Sequence, residues 1–215
     1  MDIYGLTGGI GSGKSAAAAY FEDCGIPVVS ADELSRVVVT PGSEGLSAVV
    51  AAFGEGVLSP QGELDRRKLG AVVFKDPTAR VRLEGILHPR IRDTFQDVLA
   101  ALEATGNSMV VYEVPLLFEN NLEKQMKAVI LVSAPEAQRV ARVIARDKLS
   151  ADDVRARMAA QMDDTNRRAR ATHVLENDGD LDHLHAQIDA LLAKLLPRKA
   201  GAPPPPPPPA KSKPS

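Results

Sequence analysis

Gly8-Gly9-Ile10-Gly11-Ser12-Gly13-Lys14-Ser15 decides the fold of this chain. The stretch matches G-x-x-x-x-G-K-[S/T] in full, the pattern of a loop that wraps phosphate groups. Its surroundings agree. Ile3 to Thr7 is a short apolar strand. Lys14 to Cys24 predicts a helix, with Ala16 to Ala19 supplying high propensity and Gly25 placed to end it. Ile26 to Ser30 then reads as a second strand. A strand, loop, helix and strand in such short order imply a parallel α/β sheet.

The loop's chemistry explains its residues. Triphosphate oxygens need many donors at close range, and glycines let the backbone N–H groups turn inward as an anion nest. The helix starting at Lys14 adds its positive end. Lys14 brings a full charge to the β and γ oxygens, and the Ser15 hydroxyl suits Mg²⁺ bridging them. A dinucleotide fingerprint, G-x-G-x-x-G, fails because Lys14 stands where its third glycine belongs. The guanine-reading string N-K-x-D is absent. Phosphoryl transfer from ATP to a small-molecule hydroxyl is the expected activity.

Beyond the second strand the pattern changes. Residues 31–107 read as an all-helical insertion, with helix starts at Asp32, Ser43, Asp65, Asp76-Pro77 and His88-Pro89. Met109 to Glu113 and Ala128 to Val132 are the third and fourth strands. Ser133-Ala134-Pro135-Glu136 reads as a capping box opening a helix to about Arg146. Ser150 opens another, to about Met162. Thr172 to Glu176 is a fifth strand, and Leu181 to Leu196 an amphipathic last helix. The expected fold is a five-stranded parallel phosphate-loop kinase core (1–30, 108–135, 168–197) with a helical substrate insertion (31–107) and a small lid (136–167). Pro203 to Pro209, within the tail 198–215, cannot build a core and is expected to be extended or disordered, with partner binding a weaker alternative.

Composition narrows the partners. Apolar residues make up 44% of the 215 and aromatics 4%, so the core must be aliphatic. A net charge of −2 argues against a general nucleic-acid binder. Cys24 is the single cysteine, which excludes an internal disulfide and a cysteine metal site; its place in the helix pattern reads as core filler. The chain opens directly on a strand and holds no apolar run long enough for a membrane span, so a soluble cytoplasmic protein without a membrane partner is expected.

Several polar residues have two readings on position alone. Asp32, just past strand two, is either a helix cap or a carboxylate that takes a proton from the acceptor hydroxyl. Glu113, ending strand three, either orients a metal or binds a neighbouring base. His88 reads as a helix cap or a substrate contact. From 139 to 170 nine basic residues face five acidic ones, and Arg139, Arg142 and Arg146 fall on one helix face. Guanidinium groups there suit phosphoryl charge.

Taken in order, Gly5 to Ser15, Ala31-Asp32, Leu87-His88-Pro89, Pro115-Leu116-Leu117-Phe118-Glu119, Arg142 to Asp147, Gln161 and Asn177 resemble the dephospho-CoA kinases, over about residues 2 to 196. The resemblance implies ATP, with Mg²⁺, phosphorylating the ribose 3′-hydroxyl of 3′-dephospho-CoA. It implies Lys14, Asp32 and Arg146 as catalytic, with Asp32 the base. ATP contacts would be Gly8, Gly9, Gly11, Ser12, Gly13, Lys14, Ser15, Ala16, Arg142 and Asn177. Thr7, Asp32 and His88 would face the substrate, and Ser15 the metal. Ser30 stands where the family often has an acidic residue. Another metabolite kinase, or a nucleotide-binding switch without transfer chemistry, are the competing readings.

Overall fold

Four of the five strands are near-continuous apolar runs, which is how parallel strands read when both faces are covered. In the computed structural model, which describes residues 1–196, they form one sheet in the order β2-β3-β1-β4-β5. The strands are β1 (Asp2–Thr7), β2 (Val28–Ser30), β3 (Met109–Glu113), β4 (Ala128–Ser133) and β5 (His173–Glu176). β1 pairs in parallel with β3 and β4, and β4 with β5. The proline run at 203–209 lies outside the described residues.

The chain divides into two units, residues 1–28 with the chain from Ser108 on, and Val29–Asn107. In the first unit, α1 (Lys14–Asp23) and α9 (Leu181–Leu195) pack on the sheet through Ala17, Phe21, Leu184 and Ile188, all fully buried beside Leu6, Val111 and Ile130. A polar clasp joins the two helices. The Tyr20 hydroxyl donates to both Asp189 carboxylate oxygens at 3.1 Å, and its ring stacks on His185 at 3.8 Å. Burial, then Asp189, pushes the Tyr20 hydroxyl up to about 12. Cys24 is exposed rather than core: it is the C-cap residue of α1, past the last buried turn, with Sγ 3.9 Å from Asp189.

This unit also holds α6 (Glu136–Asp147), α7 (Ala151–Ala159) and the short α8 (Asp164–Arg170), a helix the sequence pattern did not predict and which crosses the expected lid boundary at 167. The expected capping box before α6 does not form, because the cap residue is Pro135 and the Ser133 hydroxyl instead donates to Asp164 at 2.9 Å. Ser150 does cap α7, accepting from Asp153 N.

The second unit is helical, with α2 (Ala31–Val37), α3 (Glu44–Phe53), α4 (Arg66–Lys75) and α5 (Pro77–Ala104) around Val49, Val57, Leu46 and Leu69. Ser43, Asp65 and Asp76 cap as expected. His88-Pro89 does not start a helix; Pro89 sits inside the 28-residue α5. A helix-interior proline loses one N–H and crowds the carbonyl four residues back. Here that residue is Gly85, and the neighbouring Ile86 carbonyl accepts Arg90 Nη1 at 2.8 Å.

Two glycines of this unit make opposite predictions. A Cβ at Gly45 would run into the Val38 carbonyl oxygen, whereas Gly70 has open space in mid-helix. Gly45→Ala is expected to cost about 1–3 kcal/mol of stability and Gly70→Ala to add about 0.5–1 kcal/mol. Urea unfolding of the two variants checks both signs.

Candidate active site

The register Leu6↔Glu113 sets the C-terminal ends of β1 and β3 level, so Glu113 stands where the chain leaves β1 for the glycine loop. Thr7, the last residue of β1, is buried, and its hydroxyl donates to the Pro115 carbonyl at 3.4 Å. The Lys14 ammonium bonds the Glu113 carboxylate, both side chains being largely buried. Of the two readings of Glu113, the structure realises the ion pair: the acid holds the lysine beside the loop.

The loop keeps its donors free. Ser12 N bonds back to Gly9 O at 3.0 Å, and Ile10 N donates to Gln161 Oε1 at 3.0 Å. The amides of Gly11, Gly13, Lys14 and Ser15 have no acceptor among the described residues. Such a row of orphan N–H groups at a helix start is an anion site. Gly13 has φ 92°, left-handed backbone that admits glycine readily, and a Cβ there would strike Asn177 Nδ2.

Braces hold the loop from behind. Asn177, buried after β5, donates from Nδ2 to Ser12 O at 2.8 Å, while its own N–H bonds Ser133 O at 2.7 Å. Arg142 of α6 donates to Asn177 O at 3.0 Å and reaches Ser12 O at 3.4 Å. Arg139, one turn earlier, donates from Nε to Ile10 O at 2.9 Å. Arg146 points elsewhere: its guanidinium chelates Asp147 at 2.7 and 2.9 Å and is two-thirds exposed. The structure therefore brings Thr7, Lys14, Arg142 and Asn177 to the loop and leaves Arg146 on an outer ion pair.

Asp32 and His88 belong to the helical unit. Ser30, not Asp32, caps α2, its hydroxyl accepting from Glu33 N at 3.4 Å. The Asp32 carboxylate is exposed, with no ion pair or side-chain hydrogen bond among the described residues. His88 lies exposed on α5.

The residues present suit a magnesium ion brought with nucleotide. Mg²⁺ binds few protein groups and takes the rest of its shell from phosphates and water. Ser15 is exposed in the first turn of α1, and its hydroxyl makes no hydrogen bond among the described residues. No cluster of three acidic, histidine or cysteine ligands occurs among the described residues, so the donor set fits an ion carried by phosphate and not a dedicated protein cage.

Sequence reasoning named Gln161, Glu119 and Arg139 without giving them a partner, and counted Arg167 only among the basic residues. Glu119 accepts from Met162 N at 3.1 Å and pairs with Arg167 at 3.7 Å. Arg139 and Arg167 are 6% and 1% exposed. Spacing alone put Arg139 on a face with Arg142 and Arg146, but burial, not spacing, separates their roles.

Comparison with known proteins follows the same line. The family model described as dephospho-CoA kinase matches residues 2–183. A dephospho-CoA kinase of Shouchella clausii is 44% identical over 190 residues, 88% of this chain and 96% of the relative. One from Anaeromyxobacter dehalogenans is 45% identical, covering 91% and 92%. Among solved structures, a Thermus thermophilus protein superposes with a TM-score of 0.80 at 40% identity, covering 90% of this chain and 97% of that one.

Asn177 generates a prediction, because it ties the loop to the end of β5. Asn177→Ala removes a buried hydrogen bond of about 1–3 kcal/mol. ATP affinity measured by calorimetry is expected to fall about five- to a hundredfold, with the fold, read by circular dichroism, retained.

Proposed function

The chain belongs to the dephospho-CoA kinase family, and from that premise we propose how its residues carry the reaction. The protein is an ATP-dependent kinase whose reaction is the final step of coenzyme A synthesis. ATP's γ-phosphoryl passes to the ribose 3′-hydroxyl of 3′-dephospho-CoA, giving CoA and ADP. One observation carries the reading: a row of loop amides without an acceptor among the described residues, with Lys14 beside them, in a chain of this family.

Each residue's part follows from its chemistry. The amides of Gly11, Gly13, Lys14 and Ser15 take phosphate oxygens, while Gly8, Gly9 and Ser12 shape the loop and Ala16 continues its helix. Lys14 neutralises the β and γ oxygens. Arg142 and Asn177 keep the loop in register for ATP. Arg146 enters only by exchanging Asp147 for a phosphate oxygen. Ser15 would hold Mg²⁺, which supplies charge neutralisation across the β and γ phosphates when bound. Asp32 accepts the proton of the attacking hydroxyl; its unpaired carboxylate, with the cap taken by Ser30, supports that role. Thr7 and His88 serve the acceptor side. The reading also includes a cytoplasmic setting, supported by a metabolite substrate and an exposed, unpaired Cys24. No described helix is long and apolar enough to cross a membrane.

A coupled ADP assay tests the function. ADP release that depends on added dephospho-CoA is expected, and release equal to the ATP-only background would reject this acceptor. Lys14→Ala is expected to lower turnover by about two to four orders of magnitude, as loss of a charge on the transferring group does. Asp32→Asn is expected to cut kcat about a hundredfold or more while ATP affinity stays within about threefold. Unchanged kcat would remove Asp32 from the chemistry.

A further inference from the structure

Within the phosphate loop, Gly8 to Ser15, Ile10 alone carries a large apolar side chain. Phosphate binding has no use for one, because its donors are backbone N–H groups, a lysine and a hydroxyl. The Ile10 side chain does not stand in solvent. It packs against the buried cluster of Val140, Val143 and Val154, with Ile144 and Met158 beside it. Val140 and Val143 come from α6 and Val154 from α7. The small core that joins these two helices therefore takes one of its members from the phosphate loop.

The backbone of Ile10 is held by the same stretch of chain. Its N–H donates to Gln161 Oε1, just past α7, at 3.0 Å, and its carbonyl accepts from Arg139 Nε of α6 at 2.9 Å. Side chain, donor and acceptor of this one residue are all engaged between 139 and 161. The C=O and N–H of a trans peptide point in opposite directions. Fixing the Ile10 carbonyl therefore also aims the Gly11 N–H, an amide without an acceptor among the described residues. α6 runs close against this point, since a Cβ on Gly11 would strike the Arg139 carbonyl and the Val143 side chain. Gln161 is anchored in turn: the next amide, Met162 N, donates to Glu119 Oε1 at 3.1 Å.

We propose that Ile10 is a positioning residue for ATP: seated in the α6–α7 core, it couples the shape of the phosphate loop to the packing of that helix pair. The loop needs such a pin. Gly8, Gly9, Gly11 and Gly13 leave its backbone loose, whereas a packed β-branched side chain is stiff and holds one position. The helix pair needs it as well, because its cluster of buried residues is three valines and loses a wall without Ile10. Coupling of this kind is reciprocal. Nucleotide that fixes the loop orders α7, and packing lost within α7 weakens nucleotide binding at the loop.

The inference rests on the ATP-kinase reading but not on its acceptor, so the test leaves dephospho-CoA out. Affinity for a non-hydrolysable ATP analogue is measured by calorimetry on the full chain, and amide hydrogen exchange of α7 is followed with and without saturating analogue. In the wild type the analogue is expected to slow exchange in α7 about fivefold or more. The φ of Ile10 is not positive, so alanine fits the backbone there. Ile10→Ala is expected to weaken analogue binding about tenfold and, even at saturation, to leave α7 exchange within about twofold of its unliganded rate. Ile10→Val, which keeps the branched shape, is expected to restore most of the protection. A residue that served only the fold would leave the analogue's effect on α7 intact, so wild-type protection in Ile10→Ala would overturn the proposal. Analogue binding to the wild type with α7 exchange unchanged would overturn it too, and no binding at all would sink the ATP reading along with it. Should Ile10→Ala fail to fold by its thermal melt, Val154→Ala decides from the other side. Its analogue affinity is expected to fall about three- to tenfold, and unchanged affinity would overturn the coupling.

Discussion

Everything at this site depends on holding a row of backbone N–H groups at the loop without an acceptor among the described residues. Orphan amides are costly, and a free loop would turn them to water or fold them onto its own carbonyls. The chain prevents that from behind. Asn177 and Arg142 occupy the carbonyl of Ser12, and Arg139 that of Ile10, so the opposite edges of those peptides face outward. The strand register that levels Glu113 with Leu6 adds Lys14 to the same mouth. The aliphatic sheet underneath matters because it fixes where β1, β3 and β5 end.

Those braces come from three separated stretches: the end of β3, the first turns of α6 and the loop after β5. The sheet order β2-β3-β1-β4-β5 puts β3 and β4 on either side of β1, so the residues following each reach the loop from opposite flanks. In a parallel sheet all these ends share one edge. Catalysis by positioning and charge, as phosphoryl transfer requires, needs little more than such a convergence of donors.

Much of this was legible in the residues. The glycine loop announces its geometry because only glycine permits it, and the apolar runs announce the strands. Local capping was legible at Ser43, Asp65, Asp76 and Ser150, where the side chain and its backbone partner are neighbours in sequence. It failed at Ser133, whose hydroxyl is claimed by Asp164 and Arg168 from a distant helix. Cys24 was misread because one residue past a helix end reverses burial. Pro89 was taken as a boundary, yet the 28-residue α5 runs through it. The arginines show the limit most clearly. Arg139, Arg142 and Arg146 share one helical spacing, and only tertiary neighbours decide that one lies under the loop, one braces Asn177 and one chelates Asp147.

The central claim is that the phosphate group cradled by this loop goes to a ribose hydroxyl of dephospho-CoA. Its most direct measurement is phosphorus NMR of the product formed from ATP carrying an isotope-labelled γ-phosphate. The account predicts a labelled phosphomonoester at the ribose 3′ position of CoA. Label found only in inorganic phosphate, or on a different hydroxyl, would contradict it.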